Sequence, residues 1–186
     1  MFVGAPLSEL SDLELIAAHQ RGDERAFAVL YHRHKHFVFN VAFRFCGEHA
    51  AALDALQDVF AHLAEKLPTL QLTARVTTYL YAVTRSCAVT QRRKRARFIG
   101  GEELVEDDLP ALPVTDADNQ RAEFNAVLAT LPVAHREVLL MRFVDDLSLE
   151  EIAAALNVPL GTVKSRLHHA IAKLRENPRL RAYFEV

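Results

Sequence analysis

The 186-residue chain has little of what disulfide-stabilised, membrane-spanning or secreted proteins contain. Its two cysteines, Cys46 and Cys87, are too few for a disulfide framework and fit a reducing compartment. No run of about 18 apolar residues occurs, so the sequence predicts no membrane-spanning helix. Residues 1–10 lack the basic stretch and apolar core of a secretory signal. We therefore expect a globular protein of the cytoplasm.

Signals for β-structure and for common enzyme classes are missing as well. No segment alternates apolar and polar residues between paired turn signals, and no H-E-x-x-H, Gly-rich phosphate loop or G-x-S-x-G occurs. A metal-dependent enzyme stays open as an alternative, because His32 and His36 share a helical face and Cys46 and His49 have ligand-like spacing. Structural histidines and buried free cysteines are the commoner case, so we expect no metal and no cofactor.

The most informative segment is 147–176, which predicts two helices separated by a tight turn. Ser148 and Glu151 form an S-x-x-E capping box that starts the first helix. Asn157 tolerates the left-handed backbone that a sharp turn needs, and Pro159 suits the first turn of the next helix. Such a unit presents its second helix to the major groove of DNA. An ordinary helical hairpin with a solvated charged face is the alternative.

The predicted second helix has an apolar face and a polar face. The apolar stripe consists of Val163, Leu167, Ala170, Ile171 and Leu174. The other face carries donors for phosphates and base edges, namely Thr162, Lys164, Ser165, Arg166, His168 and His169. We expect these six residues to contact DNA.

The remaining periodicity predicts an all-α chain with two small helical domains. The expected helices lie at about 11–21, 23–47, 49–67 and 74–97 in the first half, and at 118–131 and 134–144 before the helix-turn-helix. The third helix has an expected apolar stripe of Leu53, Leu56, Phe60, Leu63 and Leu67. The fourth has an expected outer face of Thr77, Thr78, Tyr81, Arg85, Ser86, Arg92 and Arg93.

Charge is segregated along the chain. Residues 85–97 are basic without an acidic residue, and residues 102–118 are acidic without Lys or Arg. Gly100-Gly101, Pro110 and Pro113 break any helix in the acidic stretch, which therefore predicts a flexible linker between the two domains. The basic residues at 85–97 have an alternative interpretation as a solvated tail without a binding role.

The chain resembles the bacterial extracytoplasmic-function (ECF) sigma factors of RNA polymerase. The resemblance to sigma region 4 lies in LPVAHREVLLMRFVDDLSLEEIAAALNVPLGTVKSRLHHAIAKLRE. The resemblance to region 2 lies in DLELIAAHQRGDERAFAVLYHRH, DALQDVF and TTYLYAVTRSCAVTQRRKR. Region 3 is absent, as in the ECF group. The resemblance implies region 2 at 8–97, the acidic linker at 98–117 and region 4 at 118–180.

This resemblance implies a protein without catalytic activity that binds core polymerase, directs it to the −35 and −10 promoter elements and helps to open the duplex. It also implies an anti-sigma partner, contacts with the β′ and β subunits, and no membrane insertion. The helix with DALQDVF is implied to dock on a β′ coiled coil through Asp54, Leu56, Gln57, Asp58 and Phe60. Carboxylates beside an apolar ridge suit an Arg-rich helical partner, and a solvated face is the alternative.

The resemblance also implies roles for the DNA-binding candidates. The six polar residues of the second helix are implied to read −35. The implied −10 residues are Thr77, Thr78, Tyr79, Arg85, Arg92, Arg93 and Lys94. The family usually has Trp where this chain has Tyr79 and Asn where it has Ser86. The loop 68–75 is implied to form the pocket for a flipped −10 base, which repays the cost of unpairing it.

A stand-alone helix-turn-helix regulator is the main alternative function. It explains residues 147–176 but gives DALQDVF and the acidic linker no role. A regulator of that kind binds promoter DNA specifically on its own, whereas a sigma factor needs the core enzyme.

Overall fold

The computed structural model describes residues 6–98 and 126–176, and within them it is all-α, as expected. In chain order the helices are α1 (Asp12–Gln20), α2 (Arg25–Cys46), α3 (His49–Lys66), α4 (Val76–Phe98), α5 (Val133–Phe143), α6 (Leu149–Leu156) and α7 (Leu160–Arg175). Short 3-10 helices lie at Leu7–Glu9 and Leu67–Thr69, and residues 126–130 are also helical. Apart from residue 98, the predicted acidic linker lies outside the described residues.

Local sequence signals set several helix ends. The predicted capping box forms at α6, where the backbone N–H of Ser148 donates to Glu151 Oε2 over 2.8 Å. A second capping box starts α1, where the backbone N–H of Ser11 donates to Glu14 Oε2 over 2.8 Å. Asn157 has a φ of 53° and ends α6 in the left-handed conformation expected of it. The result is the predicted pair α6 and α7, joined by a turn that only a few residue types accept without strain.

The first unit, residues 6–98, packs α1 to α4 around an apolar core. Its fully buried centre includes Leu15, Leu30, Val38, Val59, Leu63 and Leu80. Gln20 of α1 ties down the chain after α3, since its side-chain amide donates to the carbonyl oxygens of Leu67 and Leu70, each over 3.0 Å. These bonds fix the start of the loop that leads into α4.

The second unit, residues 126–176, has a smaller core between α5, α7 and the segment before them. It contains Leu128, Leu131, Leu139, Leu140, Ala170 and Leu174. The buried stripe of α7 is the one that the sequence predicts, with Val163, Ala170 and Leu174 fully buried. The polar face of α7 is therefore directed away from this core.

A third apolar cluster joins the two units. Its buried members from the first unit are Val41, Ala42, Phe45, Ala52, Ala55, Tyr81 and Ala88, and those from the second are Val138, Met141, Leu147, Ile152 and Val163. Helix α4 lies directly against α6 in this arrangement. The two domains expected from the sequence are therefore packed on one another.

This packing corrects two sequence expectations. Tyr81 and Thr78, expected on the outer face of α4, are only 2% and 4% exposed, because the second unit covers that face. Leu53, expected in the apolar stripe of α3, is 41% exposed, because Ala52 and Ala55 take the inward positions. Small residues allow helices to approach closely, so the buried arc of α3 is centred on its alanines.

Candidate DNA-binding and polymerase-binding surfaces

The polar face of α7 forms one continuous outward surface. Lys164, Ser165, His168 and His169 are exposed, and Thr162 and Arg166 are half-buried beside them. Ser165 and His169 thus lie opposite the buried stripe of α7, and the other four residues singled out by the sequence lie on either side of them, outside the stripe. The arrangement offers hydroxyl, ammonium, guanidinium and imidazole donors on a helix of the size that enters a major groove.

His135 of α5 joins this surface, which the sequence did not indicate. Its ring stacks on that of His169, with centroids 5.8 Å apart and an interplanar angle of 14°, and His168 meets His169 edge-on at 5.7 Å. Burial lowers the pKa of His135 below its usual range, and the neighbouring His169 and Arg166 lower it further. His135 therefore favours its neutral form and supports His169 from the side. Because the contact joins two helices, no local sequence pattern signals it.

The candidate −10 residues of α4 fall into two groups. The first group does not contact the second unit through the hydrogen bonds described below: Arg93 and Lys94 are exposed near the end of the helix, and Thr77, Tyr79 and Arg92 are half-buried. The second group consists of Thr78 and Arg85, whose side chains face the second unit. Tyr79 packs against the core of the first unit, and burial raises the pKa of its hydroxyl.

Carboxylates of the second unit contact this second group. Glu137 of α5 accepts hydrogen bonds from Tyr81 Oη over 3.1 Å and from Arg85 Nε over 2.9 Å. Glu151 of α6 accepts one from Thr78 Oγ1 over 3.2 Å. The charge of Arg75 reinforces this contact, since its Nε lies 3.5 Å from Glu151 Oε1.

A buried ion pair completes the contact between the units. Asp145 lies just after α5, and its Oδ2 accepts a hydrogen bond of 2.5 Å from Nη2 of Arg44 in α2. Burial raises the pKa of the Asp145 carboxyl even though Arg44 lowers it, so desolvation is the larger effect. Burial also raises the pKa of Tyr81 well above its ordinary value, and the adjacent Glu137 raises it further.

A cavity of about 670 Å³ opens beside the loop that leads into α4. The loop and the first turn of α4 contribute residues 72–77, and the first unit also contributes Asp12 and His34. Glu150 and Glu151 of α6 form its opposite wall. The cavity thus lies between the two units at the place where the family resemblance implies a base-binding pocket.

The exposed side of α3 carries three of the five candidate polymerase contacts. Asp54, Gln57 and Asp58 are exposed, and Asp58 Oδ2 accepts a hydrogen bond of 2.5 Å from Gln91 of α4. Leu56 and Phe60 are instead only 8% and 4% exposed, within the core of the first unit. Their burial agrees with the apolar stripe predicted for this helix, and the exposed Leu53 is the apolar residue beside the carboxylates.

The described residues contain no group of three or more His, Cys, Asp or Glu side chains arranged to hold a metal ion. Burial raises the pKa of Cys46 to about 11, and its thiol donates to the carbonyl oxygen of Ala88 over 3.8 Å. A protonated thiol is a poor metal ligand, which counts against the Cys46 and His49 alternative. Among the described helices, none is both long and apolar enough to cross a membrane.

Comparison with known families defines the class of protein. The family described as "Sigma-70 region 2" matches residues 30–98, and "Sigma-70, region 4" matches residues 127–176. These two matches correspond to the two helical units, with the second covering α5 to α7. The protein is thus a sigma-70 type transcription factor built from regions 2 and 4.

Two curated relatives indicate which group of sigma-70 factors the chain belongs to. The chain is 31% identical to the ECF RNA polymerase sigma factor SigM of Mycobacterium tuberculosis, over 89% of this chain and 84% of the relative. It is 26% identical to the ECF sigma factor SigW of Bacillus subtilis, over 86% of this chain and 92% of the relative. The chain belongs to the ECF sigma factors: it is an RNA polymerase sigma factor that directs promoter recognition. This family is not catalytic.

The fold also matches a solved structure. The sigma factor RpoE from Bartonella quintana, solved in complex with the anti-sigma factor NepR, gives a TM-score of 0.62 at 22% identity. The match covers 81% of this chain and 94% of that chain. The likeness shows that the two proteins share a fold.

The buried position of Tyr81 predicts a distinct alkaline titration. Because the pKa of Tyr81 is raised, ionisation of its hydroxyl opposes the packed arrangement. The free energy of unfolding is therefore unaffected below the ordinary tyrosine pKa of 10.0 and falls as the pH rises above it. In a spectrophotometric titration we expect one tyrosine to ionise only together with a loss of tertiary structure, and Tyr81→Phe to remove that late step. Tyr31→Phe is the matched control. Normal ionisation of every tyrosine in the intact fold would contradict the burial.

Proposed function

We propose that this ECF sigma factor reads −35 with the polar face of α7, holds −10 DNA with α4 and docks on core polymerase with the exposed face of α3. Regions 2 and 4 are assigned to 8–97 and 118–180, with 98–117 as the linker. The observation that carries the proposal is that all six predicted −35 residues lie on one outward face of α7. That face contributes nothing to the buried stripe of its own unit, so it is available to a ligand.

The −35 proposal rests on the chemistry of α7. Lys164 and Arg166 supply charge for phosphates or guanine edges, and each good base contact is worth about 1–3 kcal/mol of discrimination. Histidine donates without a full charge when neutral. His135 limits the orientations open to His169 by stacking on it. The base preference of this chain should therefore depend on a side chain outside α7.

The −10 proposal rests on α4 and the loop before it. Arg93 and Lys94 are exposed and suit the phosphate backbone. The cavity beside residues 72–77 adjoins the loop 68–75 and supports a role of this loop in holding a flipped base. Tyr79 offers an aromatic ring where the family usually has Trp, and it is half-buried rather than fully exposed.

The docking proposal rests on exposed carboxylates beside an apolar side chain. Asp54 and Asp58 flank Gln57 on the outer side of α3, and Leu53 lies next to them. A β′ coiled coil rich in arginine would pair with both carboxylates around a small apolar contact. Leu56 and Phe60 would support this helix from beneath, since they hold α3 against the core.

Three further assignments follow from the family. We infer that the chain is not itself an enzyme and that it works in the cytoplasm with RNA polymerase, including the β subunit. We also infer an anti-sigma partner, because the matching Bartonella quintana sigma factor was solved with one.

Charge reversal on α3 tests the docking surface. Asp54→Arg with Asp58→Arg should weaken binding to core polymerase by roughly 100-fold, because like charges at an interface cost several kcal/mol. Binding of labelled core and run-off transcription from genomic fragments measure the effect. Glu9→Arg with Glu24→Arg makes the same change in net charge elsewhere and should retain binding. Equal affinity of the two double variants would sink the docking proposal, and specific promoter binding by the chain alone would favour a stand-alone regulator.

Removal of two basic residues tests the −35 surface. Lys164→Ala with Arg166→Ala should reduce the preference of the holoenzyme for an intact over a scrambled −35 element by about tenfold or more, since both base and phosphate contacts are lost. Lys173→Ala with Arg175→Ala removes equal charge from the end of the same helix. This control should lower overall affinity with little change in the preference. An unchanged preference in the first variant would mean that another surface reads the −35 element.

A further inference from the structure

The ring of His169 is held on two sides. The nearly parallel ring of His135 lies against its face, with centroids 5.8 Å apart, and the ring of His168 meets it edge-on at 5.7 Å. His168 and His169 are exposed, whereas His135 is half-buried. Ring pairs in these two geometries attract one another beyond the effect of buried area. His169 therefore presents its remaining edge to solvent in a restricted orientation.

The core of the second unit holds the two stacked rings in place. Leu139 lies one turn after His135 on α5, and Ala170 directly follows His169 on α7. Both apolar residues are buried in the same cluster. The backbone N–H of His135 also donates to the carbonyl oxygen of Pro132 over 2.9 Å, which fixes the first turn of α5. The stack is therefore built on two packed helices.

The orientation of this ring matters for reading a base. A neutral imidazole has one N–H donor and one acceptor nitrogen, so it must be turned toward a base edge to use either. A side chain that is already held by its neighbours loses less conformational entropy on binding than one that rotates freely. Acceptors in the major groove are N7 of purines, O6 of guanine and O4 of thymine. His169 is thus arranged in advance to donate to an acceptor of this kind.

The groups that act on His135 from α7 are positive or titratable. Burial lowers the pKa of His135 below the ordinary value of 6.5, and His169 and Arg166 lower it further. On α5 itself, Glu137 is bound to side chains of α4, and Arg136 donates to a backbone carbonyl oxygen. A lowered pKa of a base means that the packed position of its ring is fully favoured above 6.5 and that this advantage is lost as the pH falls below it. Protonation of His135 therefore loosens its stack on His169.

We propose that His135 is a positioning residue for −35 recognition and that its titration makes the −35 preference weaken in mildly acidic solution. Neutral His135 holds the ring of His169 toward a base-edge acceptor, and protonated His135 is repelled by Arg166 and releases that ring. The added charge also strengthens the sequence-independent attraction to phosphates. Acidification should therefore raise general affinity for DNA while it lowers discrimination. The inference rests on the proposed −35 role of α7.

Binding of the holoenzyme to promoters with an intact or a scrambled −35 element tests the proposal. His135→Ala removes the stack and should lower the preference for the intact element about threefold or more at about pH 8, where histidine is neutral. His135→Phe keeps an aromatic ring that cannot gain a proton, and it should retain most of the preference. His36→Ala removes an exposed histidine of the first unit and should leave the preference unchanged.

The pH profile separates a positioning role from a merely structural one. Between about pH 8 and about pH 5.5 the preference of the wild-type holoenzyme should fall about twofold or more, and that of His135→Phe should fall clearly less. Comparison of the two chains cancels the titration of groups that both contain and of groups on the polymerase. An equal fall in both chains would overturn the proposal, as would an equal loss of preference from His135→Phe and His135→Ala at the higher pH.

A double-mutant cycle shows whether His135 acts through His169. In a background of His169→Ala the loss caused by His135→Ala should disappear, because the positioned ring is then missing. A loss that persists in full would contradict the proposal, since His135 would then act on DNA by itself or on the fold. Circular dichroism checks the helicity of each variant. If His135→Ala lowers helicity, the pH profiles of the wild type and His135→Phe decide the matter.

Lys164→Ala with Arg166→Ala separates this inference from the proposed function. If that double variant loses the −35 preference while His135→Ala keeps it, only the positioning role of His135 fails. If neither variant changes the preference, the proposed −35 role of α7 fails and the inference fails with it.

Discussion

The burial of one face of α4 is the constraint on which the arrangement of this sigma factor depends. Tyr81 lies at its centre, packed between Phe45 of region 2 and the apolar residues of α5 and α6. A buried hydroxyl needs a partner, and Glu137 supplies it. Because Glu137 also binds Arg85, the contact that satisfies Tyr81 also holds a residue of the proposed −10 surface.

The two proposed DNA-binding surfaces differ in how they relate to this buried face of α4. The polar face of α7 lies outside the contact between the units, so four of the six proposed −35 residues, Lys164, Ser165, His168 and His169, are exposed in the packed chain. Of the proposed −10 residues near the start of α4, Thr78 is buried and Thr77 and Tyr79 are half-buried, whereas Arg93 and Lys94 near its end are exposed.

The helix-turn-helix could be predicted because its signals are local. Capping boxes, the left-handed Asn157 and the apolar stripe of α7 all depend on residues within one or two turns, and the structure agrees at each of them. Family resemblance added the proposed roles of α3 and α4, which no periodicity reveals. Contacts between distant segments were not predictable. Tyr81 reads as an outer-face residue of α4, Leu53 reads as a core residue of α3, and nothing near His135 indicates that it stacks on His169.

Regions 2 and 4 of the free chain pack together through α4, and the proposed contacts with two separate promoter elements require them to move apart on core polymerase. The most direct measurement is the distance between spin labels placed by Arg21→Cys on region 2 and Lys173→Cys on α7, in a full chain with Cys46→Ala and Cys87→Ala. Pulsed electron paramagnetic resonance should give one short, narrow distance distribution for the free chain and a longer one for the holoenzyme. A broad distribution in the free chain, or the same distance in both states, would contradict the account.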